Sequence, residues 1–427
     1  MTAIQAIRGT RDILPGESGY WQYLEKVAQD VLGRAGYQEI RTPIFEQTAL
    51  FERGIGEGTD VVGKEMYSFL DRGERPVTLR PEGTAGVARA YIEHGLQTQG
   101  AVQRIWYQGP MFRYERPQAG RQRQFHQIGL ELLGSADPRA DGEAIALATA
   151  ILQSLGLTHL TLTLNSVGNG ADRQAYRQAL VAYLTPLRES LDPDSQSRLE
   201  RNPLRILDSK DPKTQEIVQA APSILDYLSP ESQRHFEQVQ TLLTDLGIDY
   251  QITPSLVRGL DYYTHTAFEI QSADLGAQAT VCGGGRYDGL IGALGGPTTP
   301  AIGWAMGVER LILLLQQSLP APDQRPDFYL ASRGAAAERL AFTLAQKLRG
   351  EQFRVELDLS GSAFSKQLKR AALRGAAACL ILGEEEAASE TVQLKWLATQ
   401  TQERLELGEF WGQIEEIRRR LENAGQT

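Results

Sequence analysis

Arg113, Glu115, Arg121, Arg123, Gln127 and Glu131 crowd into one short stretch of the chain, GPMFRYERPQAGRQRQFHQIGLE (Gly109–Glu131). The stretch reads as two strands joined by a loop that holds Pro117 and Gly120. Side chains alternate across a strand, so Met111, Arg113 and Glu115 share one face. On the returning strand Arg123, Phe125, Gln127, Gly129 and Glu131 share a face, and His126, Ile128, Leu130 and Leu132 take the other. A face that gathers Arg, Glu, Gln and a second Glu around a glycine is too polar for a core. It suits a floor on which a charged small molecule lies.

Other patterns narrow the chemistry. CGGGRYDG (Cys282–Gly289) lacks the GK[ST] ending of a phosphate-binding P-loop, and glycine clusters alone mark turns or bulges. Two cysteines, Cys282 and Cys379, cannot make a paired CxxC zinc site, and the five histidines include no HExxH pattern, so no protein-held metal is expected. No apolar run is long enough to span a bilayer, and MTAIQAIRGTRDILPG lacks the apolar core of a secretion signal. The expectation is a cytoplasmic protein. The net charge of −9 argues only weakly against a nucleic-acid partner, because partners feel local fields. Two basic clusters stand out: Arg113, Arg116, Arg121 and Arg123, and, at helical spacing, Lys366, Lys369, Arg370 and Arg374. By itself the second reads as a solvated helix face.

At 427 residues the chain has room for two or three domains. Apolar spacing predicts a helix over Gly19–Ala35 with Gly36 as its stop. YQEIRTPIFE (Tyr37–Glu46) is extended, and Pro43 inside it points to an edge or interface strand. A helix over Asp141–Leu155 and the strand LTLTLNS (Leu160–Ser166) follow. Residues 167–243 are rich in Gln, Arg, Asp and Ser with helical periodicity, and read as a helical insertion between strand-rich blocks. LPAPDQRPD (Leu319–Asp327) reads as a Pro-rich linker. Beyond it, strands and helices alternate through DFYLAS, Ala335–Arg349, FRVELDLS, Ala363–Arg374 and AACLILG, which predicts βαβ units on a parallel sheet. TVQLKWLA reads as a further strand and Phe410–Glu422 as a last helix.

The FRYE hairpin closely resembles motif 2 of class II aminoacyl-tRNA synthetases, in the spelling of their histidine-specific branch. The resemblance continues, in the family's order, through RTPIFE (Arg41–Glu46), RGIGEGTDVVGKEMYSF (Arg53–Phe69), LRPEGTAG (Leu79–Gly86), LVRGLDYYTHTAFE (Leu256–Glu269), CGGGRYDGL (Cys282–Leu290) and AIGWAMGVERL (Ala301–Leu311). It implies an α+β catalytic domain with an antiparallel sheet over residues 1–324, interrupted by the helical insertion, and a C-terminal α/β anticodon-binding domain over residues 325–427. It also implies ATP with Mg2+, L-histidine and histidine tRNA as partners, and a homodimer built through the RTPIFE region.

The same resemblance assigns roles. Forming an acyl-adenylate brings two anions together, which suits arginine, whose planar fork holds two oxygens and stays charged. Arg113 and Arg258 would grip the α-phosphate and Arg310 the γ-phosphate, with Gly303 and Gly307 allowing close approach of backbone and nucleotide. Glu115 would read adenine, its alternative being an ion pair with Arg116 or Arg123. Arg121 would touch ATP or the tRNA end. Glu131 and Tyr263 would face the two ring nitrogens of histidine. Glu82, Thr84 and Gln127 would hold its amino group, with Gly83 in the same block. Tyr262 and Tyr287 would line the pocket against a backbone wall of Gly283 to Gly285. Two spellings depart from the family: His265, expected to be a supporting or surface residue, and Trp304, where phenylalanine is commoner. The competing reading is a non-catalytic relative, the histidine-sensing regulatory subunit of ATP phosphoribosyltransferase, which typically lacks the catalytic arginines and the C-terminal domain.

Overall fold

A computed structural model describes residues 3–56, 59–320 and 324–424. Glu57 and Gly58, inside the second resemblance block, and residues 321–323 of the expected linker lie outside the described residues. Contacts divide the chain into two compact units, Met1–Ala321 and Pro322–Thr427.

The first unit is built on an eight-stranded sheet. Its spatial order is Gln38–Glu39, Gln103–Phe112, Gln124–Leu133, Ala301–Gly307, Thr280–Arg286, Thr264–Ser272, Leu160–Ser166, Gln251–Ile252. The six central strands pair antiparallel, while the short strand at each edge pairs parallel. The expected hairpin is the second and third strand, in register from Gln103 opposite Leu133 to Phe112 opposite Gln124. Ile128, Leu130 and Leu132 face the largest core with Leu24, Ile145, Leu164, Phe268 and Trp304. Gln127 and Glu131 face the other way, as alternation requires.

The first helix runs Pro15–Arg34, four residues longer at its start than apolar spacing predicted. Proline at the first helical position is pre-set for the turn and needs no donor there. Gly36 ends it at φ +79°, with Tyr37 N–H donating to the Leu32 carbonyl at 3.0 Å. The Tyr37–Glu46 stretch splits. Gln38–Glu39 takes the sheet edge, and Phe45–Gln47 enters a separate three-stranded sheet with Tyr67–Leu70 and Pro76–Leu79.

The insertion is helical and has its own core of Tyr176, Leu180, Leu184, Leu199, Ile206 and Ile224. Its last helix, Pro230–Asp245, instead buries Phe236, Val239 and Leu243 in the main core.

In the second unit Phe328–Ser332, Val355–Leu357 and Ala378–Leu382 are parallel, as expected. The sheet is mixed, however: Thr391–Trp396 and Gln402–Glu406 are added antiparallel. The connection from Leu382 to Thr391 is shorter than the roughly dozen residues a parallel crossover needs. The predicted last helix is two, Leu407–Gly412 and Ile414–Ala424. Of the helical basic cluster, Arg370 is tied to Asp358 at 2.7 Å and Arg374 to Glu356 at 2.8 Å.

Candidate functional site

The polar face of the central sheet floors a cavity of about 240 Å³. Three arginines from three separate stretches reach it: Arg113, Arg258 and Arg310. Arg113 follows the first hairpin strand. Its Nε donates to the Pro81 carbonyl at 2.9 Å, and its guanidinium lies 5.3 Å from the Phe125 ring centre. Arg310 sits in the first turn of the Val308–Ser318 helix and donates to the Thr280 carbonyl. Burial, and then the positive Arg121, lower its pKa. Arg258 is ion-paired with Glu269, and its guanidinium lies 5.8 Å from the Tyr263 ring centre. Burial is the largest influence and opposes its charge, but Glu269 together with Tyr263 and Tyr262 outweighs it and the pKa is raised.

Arg121 and Glu115 both line the cavity and form an ion pair with each other. Glu115 thus pairs with an arginine across the loop, and not with Arg116 or Arg123. Arg123 stacks on the Tyr114 ring at 3.9 Å. Gly307 lines the cavity and precedes the helix that carries Arg310.

The rest of the lining is acidic and aromatic. Glu82 accepts the backbone N–H groups of Thr84 and Ala85 at 2.6 and 2.9 Å, at the start of the Thr84–Glu93 helix. Thr84 Oγ1 donates to Glu131 Oε1 at 2.7 Å, and the Tyr287 hydroxyl donates to Oε2. Tyr262 packs against Tyr263 and Tyr287, with ring centres 4.7 and 5.6 Å apart. Burial pushes the Glu131 carboxyl up to about 8, against hydrogen bonds from Tyr287 and Thr84. Glu82 is raised for the same first reason.

Glu82, Thr84, Gln127, Tyr262, Tyr263 and Tyr287 all line the cavity together with the three arginines. Two expected site residues do not. Glu131 has no exposed surface and lies behind Tyr287 and Thr84. Gly83 is covered by the Tyr107 ring, which a Cβ there would overlap. Of the expected backbone wall, Gly283 lines the cavity and a Cβ there would strike the Arg258 guanidinium, while Gly284 and Gly285 do not line it and lie against the Gly303 and Thr266 carbonyls. Trp304 lines the cavity, and its indole N–H donates to the Ala144 carbonyl at 2.8 Å. His265 is half-buried at φ +45° and stacks on His235, ring centres 5.1 Å apart.

Sequence reasoning missed Tyr107, which lines the cavity with its ring against Gly83 and Gly129. Running the alternation back from Arg113 through Met111 and Gly109 would have reached it. It also missed Glu269, the partner of Arg258, for which no local signal existed.

Comparison with known proteins gives a consistent picture. A family model described as Histidyl-tRNA synthetase matches residues 9–311, and one described as Anticodon binding domain matches residues 327–417. The chain is 72% identical to a histidine–tRNA ligase of Synechocystis sp. over 99% of its length and 94% of the relative's. It is 70% identical to the Gloeothece citriformis histidine–tRNA ligase, over 100% of this chain and 99% of that one. Among solved structures, apo S. aureus histidyl-tRNA synthetase superposes with a TM-score of 0.80 at 39% identity, covering 95% of this chain and 98% of that one.

Proposed function

The chain belongs to the histidyl-tRNA synthetase family, and on that premise we infer that it joins L-histidine to its tRNA through a histidyl-adenylate, ATP losing pyrophosphate as the adenylate forms and AMP leaving as histidine passes to the tRNA. The observation that carries the placement of this chemistry is the lining of the cavity, which sets three arginines beside Glu82 and a tyrosine cluster.

In the proposed arrangement the triphosphate lies on Arg113, Arg258 and Arg310. Arg113 and Arg258 neutralise the α-phosphate as the histidine carboxylate attacks it in line, and Arg310 holds the γ-phosphate. Little covalent work is asked of the protein; positioning and charge stabilisation supply the rate. Mg2+ belongs to this proposal as a companion of the ATP phosphates, where it would supply further charge neutralisation. Glu115 and Arg121 approach the adenine side. Glu82, Thr84 and Gln127 take the ammonium group, and Tyr262, Tyr263 and Tyr287 enclose the imidazole, with Glu131 acting from behind through Tyr287 and Thr84. The terminal ribose hydroxyl of the tRNA then attacks the adenylate, with a phosphate oxygen of the substrate as base.

The regulatory-subunit reading is disfavoured. All three arginines are present, the anticodon-binding match covers residues 327–417, and relatives of about the same length are ligases.

We further propose that the chain is a cytoplasmic homodimer. Its two buried, unpaired thiols, Cys282 and Cys379, suit a reducing compartment. Ile44, Phe45, Phe69 and Leu70 expose apolar side chains on and beside the small sheet, where a partner would cover them.

ATP–pyrophosphate exchange with each amino acid in turn, without tRNA, tests the central reading. Exchange with histidine alone is expected. Histidine binding with no exchange would overturn the ligase in favour of the sensor.

A further inference from the structure

The inserted helical block reaches back onto the segment that carries Tyr262 and Tyr263. The link begins on the sheet. Past Ser166 the chain continues pairing, with Val167 N–H donating to the His265 carbonyl and His265 N–H to the Gly168 carbonyl, both at 2.7 Å. Asn169 then caps the Gly170–Leu184 helix in a capping box with Asp172. Asp172 also accepts the Ser229 N–H at 3.0 Å and the Ser232 hydroxyl, at the start of the Pro230–Asp245 helix. That second helix is anchored in the main core through Phe236, Val239 and Leu243. The first turn of the inserted helix is thus fixed from two sides.

Arg173 projects from that turn. One of its nitrogens, Nη1, donates to the carbonyls of both Asp261 and Tyr263, at 3.1 and 2.8 Å. These are the carbonyls of the residues on either side of Tyr262. The insertion holds the same segment a second time through Asn202, whose side-chain amide donates to Asp261 Oδ1 at 2.6 Å. From the catalytic side the Ile55 carbonyl accepts the Asp261 N–H at 3.1 Å. Residues 253–263 contain no helix or strand of their own, so these contacts, and not a ladder, fix the backbone there.

We propose that Arg173 is a positioning residue for the histidine pocket, setting where Tyr262 and Tyr263 stand by clamping the backbone around Tyr262. The proposal rests on reading those tyrosines as the wall around the imidazole. Arg173 does not line the cavity, so it acts through the segment it holds and not by touching histidine.

The test is pyrophosphate exchange by the full-length enzyme with Arg173→Ala, Arg173→Lys, Asn202→Ala and Tyr263→Phe. Two charge-assisted hydrogen bonds are lost in Arg173→Ala, so its KM for histidine should rise about tenfold while KM for ATP and kcat stay within about twofold. Lysine, which can still donate to both carbonyls, should restore most of the loss. Asn202→Ala should move histidine KM the same way by less, and it keeps the test alive if Arg173→Ala does not fold. Unchanged histidine KM in Arg173→Ala beside a raised KM in Tyr263→Phe would overturn the positioning role alone. Unchanged values in both would overturn the pocket reading beneath it. Loss of kcat with lowered melting temperature and no KM change would make Arg173 a stabilising residue only.

Discussion

The Glu131 carboxylate lies against the backbone of Gly303 on the neighbouring strand, so closely that a Cβ at Gly303 would overlap Oε2. Gly303→Ala should therefore push Glu131 off Tyr287 and Thr84. Overpacking of this kind costs about 1–3 kcal/mol, readable in urea denaturation. Histidine-dependent exchange should fall further than stability alone explains. An alanine variant of native stability and full activity would show that Glu131 has room to move.

Glu131 also gives a pH signature. Its folded pKa, about 8, stands above the ordinary ~4.3 of the unfolded chain, so the native state binds the proton more tightly. The stability it contributes is fully present below ~4.3 and is lost as pH rises through about 8. Glu131→Gln carries no such proton. Its stability should fall less than that of the parent protein between about pH 5 and pH 8, measured by denaturant midpoints at each pH. Parallel curves would place the proton elsewhere. The same variant should raise histidine KM more than ATP KM, since an amide has one acceptor oxygen where the carboxyl accepts from both Thr84 and Tyr287, and the pocket wall they form would loosen.

Arg258→Ala should slow adenylate formation, but not cleanly. It strands Glu269, and both side chains are less than a fifth exposed. Breaking a fully buried pair costs about 3–5 kcal/mol, so a loss near or below the lower bound is expected. The double variant Arg258→Ala/Glu269→Ala should regain stability without regaining exchange. Recovery of both would assign Arg258 to the fold and not to the phosphate.

The exposed apolar patch predicts self-association. Sedimentation should give twice the chain mass for the parent protein. Phe45→Asp, at a side chain 58% exposed in the single chain, should shift it toward the monomer. A monomeric parent would contradict the dimer.

The legible parts of this protein were those that local periodicity controls. Alternation through Arg123, Phe125 and Gln127 located the floor, and the Gly36 stop and the βαβ rhythm placed helices and strands within a few residues. What escaped was long-range. The pairing of Arg258 with Glu269 depends on strand placement and left no mark near either residue. Glu131 shares the alternating face of Gln127 as expected, yet Tyr287, from a strand two places away, closes over it. Alternation tells which way a side chain points and not what covers it. The last two strands turned antiparallel because a short connection leaves no other geometry.

The triple glycine has a consequence for fidelity. A pocket bounded by rotatable side chains can widen to admit a bulkier competitor; one bounded by bare backbone cannot. Gly283, which lines the cavity, has the Arg258 guanidinium against it, and behind it Gly284 and Gly285 have the Gly303 and Thr266 carbonyls pressed against them with no space for a methyl group. On the proposed placement of histidine, the sheet beneath Gly283 would not yield to a larger amino acid, and an apolar isostere would leave tyrosines and carboxyls without partners.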